Sequence, residues 1–99
     1  MKVFLSYFLL FFTFLKNNVE SIERGEKLFS ENCLSCHIGG NNIIIPEKNL
    51  KKETLETFGM NNKNSIVYQI INGKNGMPGF GGKLKQNEIE DIASYILKE

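Results

Sequence analysis

The sequence predicts an all-α domain in which three or four short helices are joined by two long, ordered loops. Apolar residues recur at helical spacing in several segments. No segment alternates apolar and polar residues as a half-exposed strand does. Glycine and asparagine clusters separate the helical segments, and residues 73–84 contain five glycines and one proline, which excludes regular structure there.

The ends of the predicted helices are marked by capping residues and helix breakers. Two consecutive glycines stop the first helix, asparagines precede the third, and Gly73 stands where a helix C-terminus favours glycine. Acidic residues in the first turn of the last helix favour its start there. Between the first two helices, residues 41–50 form a loop with an apolar centre, closed by Pro46. The predicted helices are residues 21–37, 51–59, 61–73 and 86–99.

The N-terminal segment differs in composition from the rest. A lysine at position 2 precedes an apolar run over residues 3–15, which is short for a membrane span of about 20 residues and suits the core of a signal peptide. Val19 and Ser21 supply small residues before a cleavage point. We therefore expect residues 1–21 to be a cleaved signal or lumen-targeting peptide and residues 22–99 to be the mature domain. A retained anchor and a buried first helix are the alternatives.

The charge balance excludes one class of function. Cleavage removes Lys2, Lys16 and Glu20 from a chain with 12 basic and 11 acidic residues, which leaves ten of each. A neutral domain lacks the basic face of a nucleic-acid-binding protein. At 99 − 21 = 78 residues the mature domain is also small. Such domains need disulfides, a bound metal or an equivalent stabilising group in addition to their core.

Both cysteines and the only histidine of the chain lie within five consecutive positions, Cys33, Cys36 and His37. Zinc needs four ligands, and the second ligand pair is missing here. A thioredoxin-like dithiol expects a βαβ setting, which a helical chain lacks. The remaining interpretation is covalent haem attachment, for which C-x-x-C-H is the sequence mark. Each thiol then binds a haem vinyl group, and His37 coordinates the iron. Haem would also be the additional stabilising group that so small a domain needs.

With one histidine in the chain, the second axial ligand is a methionine, a lysine or an open position. Met60 and Met77 both lie in loop-like sequence. Spacing favours Met77, because it lies in the glycine-rich loop and Pro78 restricts its approach. Met60 stays an alternative. A six-coordinate haem with methionine excludes small ligands and favours electron transfer over catalysis, so no enzyme activity is expected.

Taken together, these residues resemble class I c-type cytochromes and, within them, the cytochrome c6 family of algae and cyanobacteria. The resemblance covers nearly all of residues 22–99 and rests on "GEKLFSENCLSCHIGGNN", "IIPEKNLKK", "YQIINGKNGMPGFGGKL" and "IEDIASYI". It implies the class I cytochrome c fold around one covalently bound haem c. It also implies that Cys33 and Cys36 hold the thioethers and that His37 and Met77 are the axial ligands.

The resemblance carries two further structural expectations. The carbonyl of Pro46 is expected to accept a hydrogen bond from His37 and fix the ring. The first and last helices are expected to meet through four core residues, Gly25, Phe29, Ile92 and Tyr95.

The chain departs from the family pattern at four positions. Ile71 stands where the resemblance predicts a haem-proximal glutamine, which leaves the reduction potential open. Lys83 stands where the family commonly has an arginine. A lysine keeps the positive charge but cannot form the bidentate hydrogen bonds that arginine makes with a carboxylate. Gly76 and Gly79 replace alanines and are expected to make the methionine loop more mobile.

The function that the resemblance implies is transfer of electrons in the thylakoid lumen from cytochrome f of the cytochrome b6f complex to photosystem I. The expected carrier is a monomer that makes small, transient interfaces, with Lys83 as a steering charge. Three alternatives are a periplasmic monohaem cytochrome serving a respiratory oxidase, an exported thiol–disulfide protein without haem, and a low-potential redox sensor.

Overall fold

A computed structural model describes residues 19–98 of the chain. Within this range the fold is all-α, as predicted, and the only β-type pairing there is an isolated bridge between Lys74 and Met77. The predicted signal peptide lies, for residues 1–18, outside the described residues. The helices are α1 (residues 19–32), α2 (Leu34–His37), α3 (Lys52–Thr57), α4 (Lys63–Asn72) and α5 (Gln86–Ile96), with 3₁₀ turns at Ile38–Gly40 and Pro46–Lys48.

The predicted first helix is interrupted at Cys33. The amide of Cys33 still donates to the carbonyl of Phe29 at 2.8 Å, while the Cys33 carbonyl accepts from the amides of Cys36 and His37 at 3.2 and 3.0 Å. This tightening ends α1 and starts α2. The interruption follows from the local hydrogen bonding, which helical periodicity does not reveal.

Helices α1 and α5 meet at Gly25, as expected from the resemblance. A Cβ atom at this position would collide with the backbone carbonyl of Asp91 and would lie 2.9 Å from Cβ of Tyr95. The ring of Phe29 packs on the ring of Tyr95, with 5.3 Å between their centroids. Close approach of the two backbones therefore requires glycine here.

The core lies between α4, α5 and the loop that joins them. Ile66 and Ile70 of α4 pack with Ile89 and Ile92 of α5, and Ile92 is fully buried. Phe80 closes this core from the loop, and its amide donates to the carbonyl of Ile70 at 2.8 Å. The loop after Met77 is thereby fixed along the C-terminal end of α4.

Helix α4 begins and ends where its capping residues predict. The side chain of Asn62 accepts a hydrogen bond from the amide of Ser65 at 2.9 Å, and Gly73 follows the last turn with φ of +69°. A Cβ on Gly79 would lie 2.6 Å from the carbonyl oxygen of Ile71. Gly79 is thus a position of close packing.

None of the helices in the range 19–98 has the length and apolar content needed to cross a membrane.

Candidate functional site

A cavity of about 420 Å³ opens between α2, α3, α4 and the methionine loop, which comprises residues 73–82. This volume lies in the range of about 300–1,000 Å³ that is typical of cofactor and ligand sites. The side chains that line the cavity are mostly apolar. Four of them are the residues predicted from the sequence, Cys33, Cys36, His37 and Met77.

His37 is buried, with 9 % of its surface exposed. Its Nδ1 lies 2.8 Å from the carbonyl oxygen of Asn41. Because a carbonyl only accepts, Nδ1 is the donor of this hydrogen bond, and Nε2 is the ring nitrogen left to bind a metal ion.

The expectation that Pro46 holds the ring of His37 is wrong in this structure. The carbonyl of Pro46 accepts from the side chain of Asn49 at 3.2 Å. Gly39 and Gly40, with φ of +65° and +80°, turn the chain back after α2 and bring the Asn41 carbonyl to the imidazole. Asn41 therefore has the orienting role that the resemblance gave to Pro46.

The two cysteines are free thiols at the start and in the middle of the α2 turn. Burial raises the pKa of the Cys33 thiol to about 11, and the neighbouring Cys36 adds to the rise. At neutral pH Cys33 therefore keeps its proton. Attacking cysteines of thiol–disulfide enzymes need a depressed pKa, so this environment argues against the dithiol alternative.

Met77 is held at the end of a tight turn. Its amide and carbonyl exchange hydrogen bonds with Lys74, each of 3.0 Å, around Asn75 and Gly76, whose φ angles are +47° and +86°. This is the geometry of a two-residue hairpin turn, for which Asn-Gly is a preferred sequence. The turn fixes the backbone from which the Met77 thioether enters the cavity.

Gln69 is a site residue that the sequence interpretation missed. Its Nε2 lies 3.8 Å from Sδ of Met77, and its side chain lines the cavity. Ile71 does not belong to that lining and packs against Gly81, so the emphasis on Ile71 was wrong. Helical spacing contained the necessary information, since Ile66, Gln69 and Ile70 share one face of α4 and all line the cavity.

Met60 also lines the cavity and is half-buried. Its amide donates to the carbonyl of Leu55 at 2.7 Å at the end of α3. The structure therefore brings both methionines to the same cavity, and the choice of Met77 stays a prediction.

The zinc alternative finds no support in the described part of the chain. Residues 19–98 contain no group of three or more His, Cys, Asp and Glu side chains arranged to bind a metal ion.

The residues present fit a haem. They provide two thiols at C-x-x-C-H spacing, an imidazole with its Nε2 lone pair available, two candidate thioethers, and apolar walls for the macrocycle. Helices and site together define a class I c-type cytochrome.

Comparison with known proteins agrees with this class. The family model described as "Cytochrome C oxidase, cbb3-type, subunit III" matches residues 20–96. Cytochrome c6 of Bumilleriopsis filiformis is 56 % identical over 78 residues, which cover 79 % of this chain and 91 % of the relative. Cytochrome c6 of Petalonia fascia is 54 % identical, with coverage of 79 % and 92 %. The crystal structure of cytochrome c6 from the diatom Phaeodactylum tricornutum matches with a TM-score of 0.75 and 46 % identity, over 78 % of this chain and 91 % of that one.

The chain belongs to the cytochrome c6 family. It is accordingly a monohaem electron carrier with covalently bound haem c.

Proposed function

We propose that Cys33 and Cys36 form the thioether bonds to haem c and that His37 and Met77 are its axial ligands. One observation carries this proposal: a single apolar cavity is lined by all four side chains, although Met77 is separated from His37 by two helices. The fixed turn and the contact with Gln69 favour Met77 over Met60.

The protein side chains determine what the haem does. Haem supplies one-electron redox chemistry when bound. Asn41 fixes the tautomer of His37, and a methionine thioether as the second ligand would exclude small ligands and raise the reduction potential relative to a second imidazole. No general acid or base is required for such a site, and we propose that the protein is not an enzyme.

We further propose that the carrier works in the thylakoid lumen and transfers electrons from cytochrome f of the cytochrome b6f complex to photosystem I. The relatives from algae that are named cytochrome c6 support this assignment. In this proposal residues 1–21 are removed on import, which the N-terminal sequence of the purified protein tests directly.

The rim of the cavity is suited to brief contact with partners. Ile44 and Phe58 line the cavity and remain 54 % and 47 % exposed. Lys48 lies over the Phe58 ring at 3.5 Å from its centroid, and Lys83 is exposed close to Phe80. A small apolar patch flanked by lysines fits transient docking of a monomer to an acidic partner surface.

The experiment that tests this function measures partner rates. The purified, haem-loaded protein, reduced in advance, is mixed with photosystem I particles, and re-reduction of the flash-oxidised reaction centre is followed. We expect a rate that rises with protein concentration and changes with salt. In parallel, the protein is offered to membranes that contain a respiratory oxidase of the cbb3 type, because the matching family model bears that description. Fast oxidation there, with no reaction at photosystem I, would establish the respiratory alternative.

A further inference from the structure

The chain contains two Asn-Gly pairs, Asn72–Gly73 and Asn75–Gly76, three residues apart. Asn-Gly is chemically labile, because glycine has no side chain to hinder attack of its amide nitrogen on the preceding asparagine side chain. Whether the reaction takes place in a folded protein depends on how each pair is held.

Asn72–Gly73 is held on both sides of the reacting bond. The side-chain amide of Asn72 donates to the carbonyl of Tyr68 at 2.9 Å, and the amide of Gly73 donates to the carbonyl of Gln69 at 2.7 Å. Gly73 is also packed closely against the backbone of Pro78, so that a Cβ there would lie 2.7 Å from its carbonyl carbon. Attack within this pair requires unwinding of the last turn of α4.

Asn75–Gly76 is held differently. Both residues are exposed, and the amide of Gly76 makes no backbone hydrogen bond within residues 19–98. The nearest atom to a Cβ placed on Gly76 is a methyl carbon of Ile44 at 3.6 Å, so the turn has open space around it.

We propose that Asn75 is a site of spontaneous deamidation in the folded protein and that Asn72 is not. The amide nitrogen of Gly76 attacks Cγ of Asn75, a new C–N bond forms, and the bond from Cγ to Nδ2 breaks. Ammonia leaves with the proton of the Gly76 amide, and a succinimide results. Water then opens either carbonyl and gives aspartate or isoaspartate at position 75. One water is consumed, one ammonia is released, and no oxidant or reductant takes part.

The product changes the methionine loop in two ways. A carboxylate appears beside Lys74 on the lining of the cavity, to which Asn75 contributes. Isoaspartate also lengthens the backbone between Lys74 and Met77, so their two 3.0 Å hydrogen bonds can no longer both form. This consequence for ligation rests on the proposed role of Met77, whereas the modification itself does not.

Peptide mapping tests the proposal on the purified, haem-loaded protein. The protein is aged in neutral buffer and digested with trypsin, which cleaves after Lys63, Lys74 and Lys83 and so places Asn72 and Asn75 on separate peptides, 64–74 and 75–83. We expect peptide 75–83 to gain the mass of an amide converted to an acid, and to be labelled by an isoaspartyl methyltransferase. The rate of this conversion should be several-fold higher than on peptide 64–74. In the denatured protein both peptides should change at similar rates.

Two variants form a matched pair. Asn75→Gly keeps a residue suited to positive φ and should abolish the change in peptide 75–83, while Asn72→Ala should leave it as fast as in the parent protein. Three outcomes would each overturn the proposal. In the folded protein, the two peptides would change at equal rates, or Asn72 would change faster than Asn75. Alternatively, Asn75 would remain unchanged in the folded protein after the denatured sample has reacted. Because the readout is a peptide mass, failure of the electron-transfer role would leave this test unaffected.

Discussion

Gln69 is the polar side chain next to the sulfur of Met77, with its amide nitrogen 3.8 Å from Sδ. Oxidised haem carries one more positive charge than reduced haem. If Met77 is the ligand, we therefore expect the positive end of the Gln69 amide dipole to disfavour the oxidised form and to raise the reduction potential. A single side chain on α4 is thus expected to adjust a property that the ligands alone do not determine.

Replacement of Gln69 by valine removes this dipole, and we expect the Gln69→Val protein to have a lower midpoint potential in a spectroelectrochemical titration. Ile71→Val is the control, because Ile71 lies on the same helix outside the cavity lining and should leave the potential unchanged. An equal shift in both variants would show that general loosening of α4, and not the Gln69 dipole, sets the potential.

The choice between the two methionines is also a residue-scale question. We expect Met77→Ala to lose the weak charge-transfer band at the red end of the visible spectrum, which marks methionine ligation of an oxidised haem. The reason is that the substitution removes the thioether. Met60→Ala should preserve that band. If the band disappears only in Met60→Ala, the assignment of Met77 is wrong and the alternative ligand is correct.

At the scale of elements, the contact between α1 and α5 depends on the missing side chain at Gly25. Gly25→Ala forces a methyl group against the Asp91 carbonyl and Cβ of Tyr95, which are backbone and near-backbone atoms that cannot rotate away. We expect a loss of about 1–3 kcal/mol in the free energy of unfolding, the usual cost of overpacking, in denaturant titration of the haem-loaded protein.

Gly82→Ala is the matched control, since nothing lies within 4 Å of a Cβ at that position. Its effect should stay within about 0.5 kcal/mol, as for other surface substitutions. Comparable losses in the two variants would mean that the α1–α5 crossing does not govern stability.

Features marked by a recognisable residue pattern were predictable from the sequence, and features set by the exact backbone geometry of a turn were not. The boundaries of α4 follow from Asn62 and Gly73, and the four predicted site residues follow from the C-x-x-C-H spacing and the glycine-rich loop. The break at Cys33 was missed, because it depends on local hydrogen bonding that helical periodicity does not reveal. The hydrogen bond from His37 to Asn41 was missed, because it depends on the φ angles of Gly39 and Gly40. No local pattern specifies which carbonyl such a turn brings to the ring.

At the scale of the whole molecule, the domain is built around its cavity. The buried apolar residues in the described chain are few: Phe29, Leu55, Ile66, Ile70, Phe80, Ile89, Ile92 and Ala93. The cavity of about 420 Å³ is lined mostly by apolar side chains, which a bound haem would cover. We therefore expect the stability of the fold to depend on the haem that fills the cavity.

Replacement of both Cys33 and Cys36 by serine prevents covalent haem attachment and tests this dependence. We expect the double variant to lose most of its helical far-ultraviolet circular dichroism and its cooperative urea transition, because the remaining core is too small to offset the chain entropy. The haem-loaded parent should unfold in one cooperative step.

Adding haem to the double variant distinguishes the effect of the bound haem from the effect of its covalent attachment. We expect partial recovery of helicity, because haem bound through His37 would still fill the cavity. A double variant that unfolds cooperatively without haem, at the urea concentration of the parent, would show that the helices carry the fold by themselves.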